Sequence, residues 1–101
     1  MTVTLHVFSV SPSKTPLLTE CCRALREGDA LLLLGEGVHA ADEGSTAAQH
    51  LASLTAGVSL YALDQDCSAR GLKRISARVT MTDYPGFVVL ACEHVRSVSW
   101  F

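Results

Sequence analysis

Residues 28–37 read Gly-Asp-Ala-Leu-Leu-Leu-Leu-Gly-Glu-Gly, so an unbroken apolar run, Ala30 to Leu34, stands between glycines. Five residues are too few for a buried helix, and the glycines mark both ends as turns. The run does not alternate apolar with polar, as a strand with one wet face would. It reads as a strand covered on both faces, the situation of a strand inside a parallel sheet.

Parallel neighbours need crossover connections, so helices should flank this strand in the chain. Upstream, Val3, Leu5 and Val7 alternate with Thr2, Thr4 and His6, the period of a pleated strand. Ser11-Pro12-Ser13 breaks it, Thr15 can cap a helix with Pro16 at its first position, and Leu18, Cys22 and Leu25 form a helical stripe. Arg26-Glu27-Gly28 reads as the stop of that helix. Downstream, a helix is expected over 45–54 with Ala48, Leu51 and Ala52 inward, then a strand over 58–63 and a short helix from Asp64 to Arg70-Gly71. A weaker strand is expected over 77–81. Asp83 then caps a helix in which Phe87, Leu90, Ala91 and His94 share a face, and 95–100 forms a last strand whose short connection leaves its direction open.

Residues 1–101 therefore predict one α/β domain: a mainly parallel five-stranded sheet with helices on both faces, joined by right-handed crossovers. The sequence contains no repeat, linker or low-complexity segment. About half of the 101 residues are apolar, more than a small domain needs for its own core, so other chains are expected to cover part of that surface.

Charge and composition narrow the function classes. The formal net charge is -2 and no Lys/Arg stripe is present, which argues against direct nucleic-acid binding. No apolar run approaches the ~20 residues that span a bilayer, so no membrane partner is expected. The N-terminus lacks a basic start followed by a long apolar stretch, so no signal peptide is expected, and the cytoplasm is the expected compartment. The cysteines stand at 21, 22, 67 and 92, without C-x-x-C or metal-ligand spacing, so they read as thiols and no metal or other cofactor is expected.

Gly35-Glu36-Gly37 ends a strand but is not G-x-G-x-x-G, because position 40 is alanine, and no G-K-[ST] is present. It reads as a turn. Residues 9–13, 35–41 and 64–70 should still gather beyond the carboxyl ends of the strands, where α/β sheets keep their ligands. Among the thiols, Cys22 lies on the core stripe and Cys21 at its border, beside Arg23 and Arg26, which can favour a thiolate. Cys67 follows Asp64 and Asp66, which disfavour one, and Cys92 lies on the last helix after apolar neighbours; both read as structural. No Ser-His-Asp arrangement follows from spacing.

Taken in order, Leu5-His6, Ser11-Pro12, Glu27-Gly28-Asp29, Leu31-Leu32-Leu33, Gly37-Val38, Ala40-Ala41, Tyr61-Ala62-Leu63, Asp66, Ala69-Arg70-Gly71-Leu72, Asp83-Tyr84, Gly86-Phe87-Val88 and Ser99-Trp100 resemble the TusB/DsrH family over essentially the whole chain. The resemblance implies a DsrEFH-like fold. It also implies a sulfur-relay complex with TusC/DsrF-type and TusD/DsrE-type subunits, a dimer of heterotrimers that passes persulfide sulfur between cysteines. In the Tus branch that sulfur becomes the 2-thio group of the tRNA wobble uridine; in the Dsr branch it serves dissimilatory sulfur oxidation. The best-established carrier belongs to the TusD/DsrE-type subunit, so this chain is expected to be an accessory subunit of a sulfurtransferase complex rather than a complete enzyme. Cys21 falls where the DsrH type has its cysteine and is the candidate sulfur-carrying thiol. A purely structural subunit is the remaining alternative. Cys22 is an addition to the family pattern, and His39 stands where an aromatic residue is common.

Overall fold

The computed structural model describes residues 3–13 and 16–100. Thr2, the proposed cap Thr15 and the terminal Phe101 lie outside the described residues. Five strands, β1 (Thr4–Phe8), β2 (Ala30–Leu33), β3 (Ser59–Leu63), β4 (Val79–Thr82) and β5 (Arg96–Trp100), form one sheet. Its order is β4-β3-β2-β1-β5 and every pairing is parallel. The helices are α1 (Leu17–Ala24), α2 (Thr46–Ala52), α3 (Asp64–Ala69) and α4 (Tyr84–Glu93), and a 3₁₀ helix over Gly35–Ala41 precedes α2.

From β1 to β4 the chain steps outward through adjacent strands. Right-handed crossovers then place α1, α2 and α3 on one face, and the return from β4 to the far side of β1 places α4 on the other. The two cores follow this division. Phe8, Leu31, Leu33, Leu60 and Ala62 pack with Leu18, Cys21 and Cys22 of α1, Leu51 of α2 and Cys67 of α3. Leu5, Ala30 and Leu32 pack with Leu90, and Phe87 joins them, on the α4 side. The central strand β2 is buried along its whole length. Its odd-numbered residues serve one core and its even-numbered residues the other, which is why its sequence does not alternate.

The last strand runs parallel to β1, with Thr4 opposite Arg96 and Phe8 opposite Trp100. Helix α4 is long enough to carry the chain back across the sheet, so β4-α4-β5 is a full crossover unit. The Asp83 carboxylate caps α4 by accepting from the Gly86 amide at 2.8 Å. At its other end His94 Nδ1 lies 2.7 Å from the Leu90 carbonyl oxygen. Helix α4 is apolar nearly all round, although among the described helices it alone packs on its sheet face. Tyr84, Val88, Val89 and, just beyond the helix, Val95 are 53%, 60%, 54% and 75% exposed.

The expected turn at Gly35-Glu36-Gly37 is instead the start of the 3₁₀ helix. Gly35 has φ +55° and needs no Cβ penalty there. A Cβ on Gly37 would overlap the Phe8 carbonyl, so this segment lies directly against the end of β1. Asp66 Oδ2 accepts from the Gly35 amide at 2.7 Å, and Arg70 Nε donates to Glu36 Oε1 at 3.2 Å, tying the segment to α3. Arg78 donates to the carbonyls of Leu54, Thr55 and Val58 and so closes the loop between α2 and β3.

Candidate functional site

Beyond the carboxyl ends of β1 and β2, a cleft of about 690 Å³ opens between α1 and α2. Ser11 and Ser13 enter it from the loop after β1, Leu18 from α1, Glu36 and His39 from the 3₁₀ helix, and His50 from α2. Two of the three segments expected at this edge line the cleft. The third, α3, buttresses it from outside through Asp66 and Arg70. The polar groups are partly paired with one another: His39 Nε2 stands 3.2 Å from Glu36 Oε2, and the hydroxyls of Ser11 and Ser13 are 3.0 Å apart. Ser45 caps α2 by accepting from the Ala48 amide at 3.0 Å.

None of the four thiols lines this cleft. Cys21 was expected at the border of the α1 stripe and is instead 0% exposed, against 8% for Cys22. The reason is geometric. Position 21 is i+3 from Leu18, and a helix lying on a sheet buries its i+3 row together with i+4 and i+7. Burial pushes the Cys21 thiol up to about 12, with a further rise from Cys22 beside it, and burial pushes Cys22 up to about 11. The expected help from arginine is missing: Arg23 is exposed, and Arg26 lines a separate groove on the β5 side. Cys67 is buried, and its pKa is raised by desolvation and by Asp66 and Asp64, against an opposing effect of Arg70. Cys92, expected to be structural, is exposed on α4.

Sequence reasoning missed a polar network under β1 and β5. Trp100 Nε1 donates to His6 Nδ1 at 3.1 Å, and His6 Nε2 lies 3.3 Å from Asp29 Oδ2. An indole N–H can only donate, so Nδ1 accepts, and Nε2 carries the proton that goes to Asp29. Asp29 also accepts from the amides of Thr4 (2.9 Å, Oδ1) and Arg26 (3.0 Å, Oδ2). The rings of His6 and Trp100 are nearly parallel, with centroids 6.1 Å apart. The signal was present in the sequence: His6 and Asp29 are polar residues beside or inside apolar strands, where a polar group persists only if paired.

Among the described residues no group of three or more His, Cys, Asp or Glu side chains could hold a metal ion. Among them, too, no helix is long and apolar enough to cross a membrane.

A model of the family described as DsrH like protein matches residues 10–97. The chain is 42% identical over 97 residues to Protein TusB of Pectobacterium parmentieri, spanning 95% of this chain and 99% of that one. It is 41% identical over 98 residues to Protein TusB of Escherichia coli K12, with the same coverage. In fold it is similar to the ychN protein from E. coli, with a TM-score of 0.83 at 21% identity over 98% of this chain and 99% of that one. It is also similar to Protein Tm0979 from Thermotoga maritima, with a TM-score of 0.64 at 21% identity over 89% and 92% of the two chains.

Proposed function

The chain belongs to the DsrH-like family, and from that membership we propose that it is a subunit of a cytoplasmic sulfur-relay complex whose sulfur ends as the 2-thio group of the tRNA wobble uridine. The observation that carries this reading is the 42% identity with Protein TusB over nearly the full length of both chains. The partners are TusC/DsrF-type and TusD/DsrE-type subunits, assembled as a dimer of heterotrimers. The apolar outer side of α4 supports such an assembly, because monomers rarely leave so contiguous an apolar surface in water.

Cys21 enters this reading as an acceptor thiol that must first be uncovered by movement of α1. The uncovered thiolate attacks the outer sulfur of a donor persulfide, the donor S–S bond breaks, and the donor leaves as a thiolate. Sulfur moves without any external oxidant or reductant. A second reading, a subunit whose thiols carry nothing, is favoured by the burial of Cys21, Cys22 and Cys67.

One experiment separates the two. In the isolated native chain an aromatic disulfide reagent should titrate Cys92 and leave the other three thiols unreacted. With a persulfide donor and both partner subunits present, mass spectrometry should find one added sulfur atom on Cys21. Sulfur on none of the four thiols would leave the structural subunit standing, and sulfur on Cys67 or Cys92 would refute the assignment to Cys21.

A further inference from the structure

The polar network supports the floor of a second groove, on the side of the sheet away from α4. It holds about 320 Å³ and runs between the end of α1 and the edge strand β5. Thr4, His6, Arg26, Asp29, Arg96 and Trp100 line it, with Val98 between Arg96 and Trp100. We propose that this groove binds an oxyanion, a carboxylate or phosphate group with a small organic body, between the guanidiniums of Arg26 and Arg96.

Three observations carry the assignment. The two arginines come from distant parts of the chain but line one groove. Arg96 pairs with Thr4 in the sheet register, and the Thr4 and Arg26 amides both donate to the Asp29 carboxylate. Among the described residues, neither guanidinium makes a hydrogen bond or ion pair. The guanidiniums of Arg70 and Arg78, by contrast, are spent on holding the fold.

The groove is also positive. Among the described residues lining it, Asp29 is the single carboxylate, and its oxygens are occupied by two amides and His6. The neighbouring acid, Glu27, packs its side chain against Gly57 instead. Two cations against one engaged carboxylate leave a net positive charge. A guanidinium offers planar paired donors that fit a carboxylate or phosphate, and Val98 with the Trp100 indole gives the organic body an apolar wall. The volume is at the small end of ligand sites, which limits the guest to a small acid or ester.

Trp100 is the only tryptophan and lines the groove, so it reports occupancy directly. The full chain is titrated with inorganic phosphate, phenyl phosphate and benzoate at constant ionic strength, with sodium chloride as the control. A saturable change in Trp100 fluorescence is expected for at least one probe. The stronger of phenyl phosphate and benzoate identifies the anionic group, and inorganic phosphate measures the contribution of the organic body. Arg26→Gln and Arg96→Gln should each weaken binding about tenfold, the loss of one charged hydrogen bond. Both side chains are at the surface, so an unchanged near-ultraviolet circular dichroism spectrum will show that the variants are folded. A response no larger than that to chloride for all three probes overturns the proposal. So does unchanged affinity in the double variant. The outcome is independent of the sulfur-relay reading, since no thiol takes part.

Discussion

At the scale of single residues, Asp29 carries the most structural responsibility per atom. Its carboxylate joins the start of β1, the end of the α1 loop and, through His6, the last strand. Burial by itself raises its pKa; the amides of Thr4 and Arg26 and the His6 ring outweigh that and hold it below the ordinary 3.8. A depressed carboxyl stabilises the fold fully above its unfolded pKa, and that contribution is lost as the pH falls through the folded value. Asp29→Asn should therefore destabilise the protein at neutral pH by about 1–3 kcal/mol, because a buried donor loses its acceptor. It should also flatten the fall in stability below pH 3.8. Urea denaturation across the acid range measures both effects, and equal curves for the two proteins would refute the role. His6, Asp29 and Trp100 all lie within the sequence pieces that resemble the family. That His6 bridges the other two was not legible, because its contact with Trp100 joins residues 94 positions apart in the chain.

At the scale of elements, the 3₁₀ helix over Gly35–Ala41 departs most from the expected turn. A local sequence reading saw only its glycines. Its shape depends on the end of β1, which leaves no room above Phe8, and on Asp66 and Arg70 of α3. Gly37→Ala should force the segment away from β1 and cost about 1–3 kcal/mol, the usual penalty of overpacking. For a domain of this size that corresponds to a drop in Tm of about 4–8 °C per kcal/mol. Gly44→Ala is the matched control: the nearest atoms are 4.0 Å from the added Cβ and the backbone φ is not positive. Equal melting temperatures for the two variants would remove the close approach from the account. Helix α1 shows a different failure of local reading. Its stripe was legible from Leu18, Cys22 and Leu25, but the breadth of the stripe was set by the sheet beneath it, and that breadth buried Cys21.

At the scale of the whole molecule, the outer side of α4 and the adjoining Val95 form an apolar surface that the described residues leave uncovered. Mixing the chain with TusC/DsrF-type and TusD/DsrE-type subunits should give one larger species by light scattering. Val88→Glu, placing a charge in that surface, should weaken the assembly while leaving the thermal stability of the isolated chain within about 0.5 kcal/mol, as for other surface substitutions. A chain that stays monomeric with both partners present would refute the proposed assembly. The sequence by itself determined the alternation of strands and helices, the single domain and the doubly buried β2, because these follow from local periodicity and from glycine and proline breaks. Only the tertiary structure decided the parallel direction of β5, the burial of Cys21, the exposure of Cys92 and the placing of Arg26 and Arg96 on one groove. Each depends on which element lies across from which, and a residue's local pattern carries the period of its own helix or strand but not the shape of the surface that receives it.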